Sequence, residues 1–210
     1  MDKHSVVEAF ELNGWDGVGQ ATTELEIVEG VKGLNQLMIH MRWELKDLDG
    51  IARACDLAHE LAGESDDLDV LGALKAVCFN RAAFFWRGWG DSDVEVSPEA
   101  EGQATPYAVR NLELAQRLGK TGVPLGRAEW LMGAFDWANG DSESAAMRFS
   151  RAAELVGEGD DPLETTMCRA YALTAGGEDA EHLLAELDAA AEGEFYSGQV
   201  RSARAVYGAG

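Results

Sequence analysis

Residues 128–162, AEWLMGAFDWANGDSESAAMRFSRAAELVGEGDDP, decide the fold. Within residues 129–138 a tryptophan, Gly133 and a second tryptophan share one helical stretch, and the missing side chain at Gly133 lets a neighbouring helix approach. Asn139-Gly140 ends that helix, since glycine adopts the left-handed C′ conformation without a steric cost. Asp141 is then the N-cap of a second helix, on which Ala145, Phe149, Ala152 and Leu155 or Val156 recur at helical spacing. Asp161-Pro162 closes the unit, because aspartate caps and proline is tolerated at the first helical position. The spacing predicts two antiparallel helices with a turn between them.

The same pattern extends in both directions. Residues 23–45 carry Val31, Leu34, Leu37, Met38, Met41 and Leu45 at helical spacing, and after a turn at residues 47–50 a partner runs through Ile51, Cys55, Ala58 and Leu61. Residues 63–69 punctuate, with Ser65 or Asp66 able to cap a helix reaching about Gly88. The next second-helix signature is Ala108, Leu112, Ala115 and Leu118. After the central unit, Cys168 and Tyr171 lead to a Gly176-Gly177 turn and to Ala180, Leu184 and Leu187. The equivalent alanines Ala108, Ala145 and Ala180 lie 37 and 35 residues apart, which is a repeat period. Four helix pairs are therefore expected, at about 23–64, 65–121, 122–160 and 161–193, with a capping helix at 194–207. Arg201, Ser202 and Arg204 supply that cap's polar outer face. Residues 1–22 are expected to be an irregular lead-in of helix plus loop: Val6, Ala9 and Phe10 can start a short helix, but Asn13-Gly14, Gly17 and Gly19 break any period. Residues 90–106 are expected to form an acidic loop, non-helical for most of its length.

Composition bounds the class. At 210 residues and 22.6 kDa, with 46% hydrophobic and 26% charged residues, the chain can bury one substantial core, and a single domain over 23–210 is the default. No apolar run is long enough to span a bilayer, and the N-terminus, with Asp2 and no apolar stretch beyond Val6-Val7, does not read as a leader. A cytoplasmic protein is expected. The odd count of three cysteines argues against a disulfide framework. The net charge of −21 makes nucleic acid and membrane surfaces poor partners.

Chemical motifs are thin. Gly17-x-Gly19 follows no buried strand and no lysine stands at phosphate-loop spacing. Asp47-x-Asp49-Gly50 resembles the middle of a calcium loop, but Leu45 and Asp56 stand at its first and twelfth positions, and an inter-helix turn accounts for it. Cys55 and His59 have the i, i+4 spacing of a metal-ligand pair, without a second pair at ligand spacing; the same spacing fits a packed face. No metal, cofactor or catalytic set is expected.

Gly133, Gly140-Asp141, Ala145, Phe149, Ala152 and the closing Asp-Pro resemble a tetratricopeptide repeat, a helix-turn-helix unit of roughly 34 residues. The likeness departs at the family's first-helix aromatic, where Asp136 stands and Trp137 lies one place late. The resemblance implies an all-α, right-handed solenoid whose concave groove binds a peptide or partner helix. Its inward repeat positions fall on Gly33, Gln36, His40 and Trp43; on Val77, Asn80, Phe84 and Arg87; on Arg127, Trp130, Ala134 and Trp137; and on Pro162, Thr165, Arg169 and Ala172. None of these is acidic, although 38 of the 210 residues are. The pattern differs from the family's carboxylate clamp, and that partner class is not carried over. The implied groove residues are Arg87, Arg127 and Arg169 for the carboxylates of an acidic or C-terminal segment, and Trp130 and Trp137 as apolar anchors, with Asn80 and His40 alongside. The expected function is non-catalytic protein binding. The alternative is self-assembly into a homodimer, and an enzyme with a groove site ranks below both.

Overall fold

The structure, a computed structural model, describes residues 4–208. Among these it is all-helical, with ten α-helices and no strand. The chain divides into two compact units, Met1–Phe84 and Phe85–Gly210. That division falls inside the stretch expected as the second helix pair.

The first unit holds α1 (Ser5–Glu24), α2 (Ile27–His40), α3 (Leu48–Ala62) and α4 (Leu68–Ala83). Its core follows the expected periodicity through Val31, Leu34, Leu37, Met38 and Met41 and through Ile51, Cys55 and Ala58 of α3, all buried, whereas Leu45, expected on the same stripe, is exposed. Caps fix the boundaries. The Asp47 carboxylate accepts from the Gly50 N–H at 2.9 Å, and Asp67 accepts from the N–H groups of Asp69 and Val70 at 2.8 and 3.2 Å. A π-helical turn, Met41–Leu45, extends α2 and ends in left-handed Lys46.

Where the lead-in is expected to be a short helix and then a loop, the helix continues from Ser5 to Glu24; residues 1–3 of that stretch lie outside the described residues. Gly14 alone leaves helical geometry (φ 60°, ψ −146°), so the chain kinks there and the helix resumes. A Cβ at Gly17 would collide with the Ala9 carbonyl. That glycine permits a close approach of backbone and is no loop signal. Val6, Val7 and Val18 are buried on a helix that packs against α2.

The second unit holds a short 3₁₀ turn (Arg87–Trp89), α5 (Pro98–Arg117), α6 (Gly122–Ala138), α7 (Ser142–Glu158), α8 (Pro162–Ala175), α9 (Glu181–Ala189) and α10 (Gly193–Tyr207). Of the acidic stretch 90–106, expected as a loop for most of its length, only residues 90–97 stay outside a helix. Ser97 caps the Ala100 N–H at 3.1 Å, Pro98 takes the first helical position, and the helix runs through Pro106. Glu101 and Ala104 on it are buried, which rewards the helix where local composition reads as loop.

Residues 128–162 fold as the sequence predicts. Gly140 is left-handed (φ 83°), and Asp141 and Asp161 accept from the Ser144 and Glu164 N–H groups, each at 3.0 Å. Helix α6 lies on α7 along a glycine seam: a Cβ at Gly133 would stand 3.0 Å from the Phe149 ring, and one at Gly126 only 2.6 Å from Val156 Cγ2. Across the solvent edge of that contact, Arg148 of α7 binds both Asp136 and Glu129 of α6 at 2.8 Å. Gly133→Leu should therefore overpack the α6–α7 contact and lower stability by about 1–3 kcal/mol. A denaturant midpoint equal to that of wild type would contradict the close approach.

Candidate functional site

The second unit is built around aromatic side chains that begin with Trp86. The indole N–H of this buried residue donates to the Ala134 carbonyl at 3.2 Å, which ties the chain before the 3₁₀ turn to α6. A Cβ at Gly88 would collide with the Trp86 ring, so glycine lets that ring lie against the turn's own backbone. Trp89 and Trp130 meet Trp86 with centroids 5.2 and 5.3 Å away, both edge-on. Trp130 lies 5.7 Å from Tyr171, which stacks on Phe149 at 5.0 Å. Edge-to-face and offset contacts of this kind set the positive rim of one ring against the negative face of the next.

Tyr207, near the end of α10, completes the cluster. It stacks on Trp86 (6.0 Å, 24°) and lies 5.6 Å from Trp137. Its hydroxyl donates to the buried carboxylate of Glu101 on α5. The same carboxylate accepts from the Arg87 backbone N–H at 2.7 Å and from Arg87 Nε at 2.9 Å. The Arg87 guanidinium also lies 5.7 Å from the Tyr207 ring centre. Burial, then the hydrogen bond to Glu101, push the Tyr207 phenol far above its ordinary range, so it stays protonated. The rest of α10 is held at its outer edge. Arg201 binds Asp188 of α9 at 2.6 and 3.0 Å, Ser197 donates to the same carboxylate, and Arg204 binds Glu181 at 2.6 Å. Arg201 and then Ser197 hold the Asp188 carboxyl down at about 2.

The residues expected to line one groove are divided by the structure. Trp130 and Trp137 are core, at 5% and 4% exposure, and not open anchors. Arg87 joins them in the cluster but is engaged by Glu101. Arg127 is held in a fork by the buried Glu164, with contacts of 2.9, 3.1 and 2.7 Å. His40 and Asn80 belong to the first unit. His40 Nε2 lies 3.6 Å from Glu11, and Asn80 donates to Asn35 at 2.8 Å. His59 of the same unit meets Cys78 at 3.5 Å. Among the described residues no group of three or more His, Cys, Asp or Glu is placed to hold a metal.

Arg169 is different. It is exposed on α8 and makes no hydrogen bond or ion pair among the described residues. It stands over a groove of about 400 Å³ formed by Ser150, Ala153 and Glu154 of α7, Arg169, Ala172 and Leu173 of α8, and His182 and Leu183 of α9. The floor is alanine and leucine. The one carboxylate on the rim, Glu154, is turned to Arg151 at 2.8 Å. The Gly176-Gly177 turn and the Ala180, Leu184, Leu187 pattern announce that α9 folds back on α8, but nothing in that pattern indicates that its His182 and Leu183 line a groove.

Glu101→Ala should strand the Tyr207 hydroxyl and the Arg87 N–H and lower stability by about 1–3 kcal/mol in equilibrium unfolding. No measurable change would contradict the carboxylate's role in closing the cluster. Compared with known proteins, the chain matches no family model, no curated protein and no solved structure, so its geometry alone carries the functional reading.

Proposed function

We propose that the chain is a non-catalytic, tetratricopeptide-like interaction protein that binds an acidic or C-terminal peptide segment in the groove between α7, α8 and α9. The observation that carries this reading is Arg169: a solvent-facing guanidinium above an apolar floor, with no carboxylate upon it among the described residues. The chain has 38 acids and 17 lysines and arginines, so local partners for an arginine are abundant. An unengaged arginine beside a groove is the planar donor fork a peptide carboxylate needs, and the alanine and leucine floor offers the apolar area to go with it. Capped, antiparallel helix pairs such as α6–α7, with a small-residue seam, support the likeness to the repeat family, which is a likeness of fold and an analogy for function. The reading places the protein in the cytoplasm, in keeping with three buried thiols, Cys55, Cys78 and Cys168.

The test is selection from a displayed library of peptides with free C-termini, followed by titration of the enriched sequences. Acidic sequences should be enriched, and affinity should fall with added salt. Arg169→Glu should weaken binding by more than about 1 kcal/mol while the helical circular dichroism stays unchanged. Enrichment without acids, or charge reversal without effect, would overturn the proposal.

A further inference from the structure

Arg169 does not stand alone on its groove. His182, in the first turn of α9, lines the same concavity from the neighbouring helix, and it too is exposed and makes no hydrogen bond or ion pair among the described residues. The chain's other histidines are all engaged. His4 Nδ1 accepts from the Val6 N–H at 3.3 Å, His40 lies 3.6 Å from Glu11, and His59 meets Cys78 at 3.5 Å. Those belong to the first unit, so His182 is the only histidine of the second.

The charged groups around His182 leave room for an incoming anion. Helix α7 brings Ser150 and Glu154 to the groove, and Glu154 is held by Arg151; α8 brings Arg169. On α9 itself Glu181 is bound by Arg204 of α10 at 2.6 Å, and the Asp179 carboxylate, just before the helix, accepts from the Glu181 N–H at 2.9 Å. Glu186, one turn beyond His182, makes no ion pair among the described residues, and Arg201 of α10 is engaged by Asp188. Of the groups that line the groove, only Arg169 and His182 can give charged hydrogen bonds to a carboxylate.

The two differ in one chemical respect. A guanidinium is always charged, whereas an imidazole changes charge between about pH 5 and about pH 8. As a cation it donates from both ring nitrogens; when neutral it keeps one donor and turns a lone pair outward from the other. A carboxylate seated between Arg169 and His182 favours the cation, so its binding draws a proton onto the imidazole. Peptide carboxylates stay ionised above about pH 5, which leaves the histidine as the group whose charge changes in that window.

Resting on the reading of this groove as an acidic-peptide site, we propose that His182 is its second anion-binding residue and makes binding proton-linked. The acidic segment bridges α8 and α9, with its carboxylates shared between Arg169 and a protonated His182 and its apolar side chains on the alanine and leucine floor. Arg169 supplies affinity at every pH. His182 adds to it only when charged, so the complex tightens as pH falls through the imidazole range and loosens as pH rises.

The probe is a fluorescein-labelled peptide of sequence Gly-Ser-Leu-Asp-Leu-Asp with a free C-terminus, titrated by anisotropy against the full-length chain at about pH 5.5 and about pH 8, at one ionic strength. Wild type should bind at least about threefold more tightly at the lower pH. His182→Gln should bind equally at both, at the weaker level. His182→Lys, whose charge is fixed across this range, should bind equally at both, at the tighter level. Circular dichroism checks that each variant keeps its helices, and His182 is exposed, so either substitution leaves the packing intact. Binding that Arg169→Glu weakens, but that is the same at both pH values in wild type or keeps its pH dependence in His182→Gln, would overturn the role of His182 and leave the groove as the binding site. No binding at either pH, or binding that Arg169→Glu leaves unchanged, would overturn the reading of the groove and the role of His182 with it.

Discussion

The second unit depends on where Trp86 can place its ring. A buried indole usually finds an acceptor for its N–H, and for Trp86 the Ala134 carbonyl supplies one at 3.2 Å. With that bond made, Trp89, Trp130, Tyr171 and Tyr207 are arranged about the Trp86 ring at 5.2–6.2 Å. Each of the elements that supply them, the 3₁₀ turn, α6, α8 and α10, is drawn to the same point. Glu101 adds the contribution of α5, since a buried carboxylate persists only where several donors converge on it. Here those donors are Arg87 and Tyr207.

How far the sequence discloses this varies with the length scale of each signal. The turn at Gly140, the caps at Asp141 and Asp161 and the seam at Gly133 are legible because each is settled within a few residues of itself. Gly17 is misread because the atom that requires its small size, the Ala9 carbonyl, is brought there by the kink at Gly14. Residues 98–106 are misread because burial of Glu101 depends on Arg87 and on Tyr207, 106 residues further on. The candidate site suffers most from this. Periodicity identifies the face that bears Trp130 and Trp137, but not whether a remote helix of the same chain covers it.

Charge follows a related logic. In so acidic a chain most arginines find a carboxylate: Arg87 with Glu101, Arg127 with Glu164, Arg148 with Asp136 and Glu129, and Arg201 with Asp188. These pairs join one helix to another, and their role is to register the packing. Arg169 stands apart because no acid among the described residues reaches it, and that makes it informative about an external ligand. Arg87 and Arg127, grouped with it by repeat position, answer to their own buried glutamates.

The central claim is that the cluster about Trp86, closed by Glu101 and Tyr207, holds the 3₁₀ turn, α5, α6, α8 and α10 as one cooperative body. Native-state hydrogen exchange reads this directly, because elements of one cooperative body exchange only with its global unfolding, whereas a helix that opens alone exchanges through a sub-global event. Amides at the centre of α10 should be protected as strongly as those at the centres of α6 and α8, and Glu101→Ala should lower the protection of α10 at least about tenfold. Weak protection of α10 in the wild-type chain, unchanged by Glu101→Ala, would contradict the account.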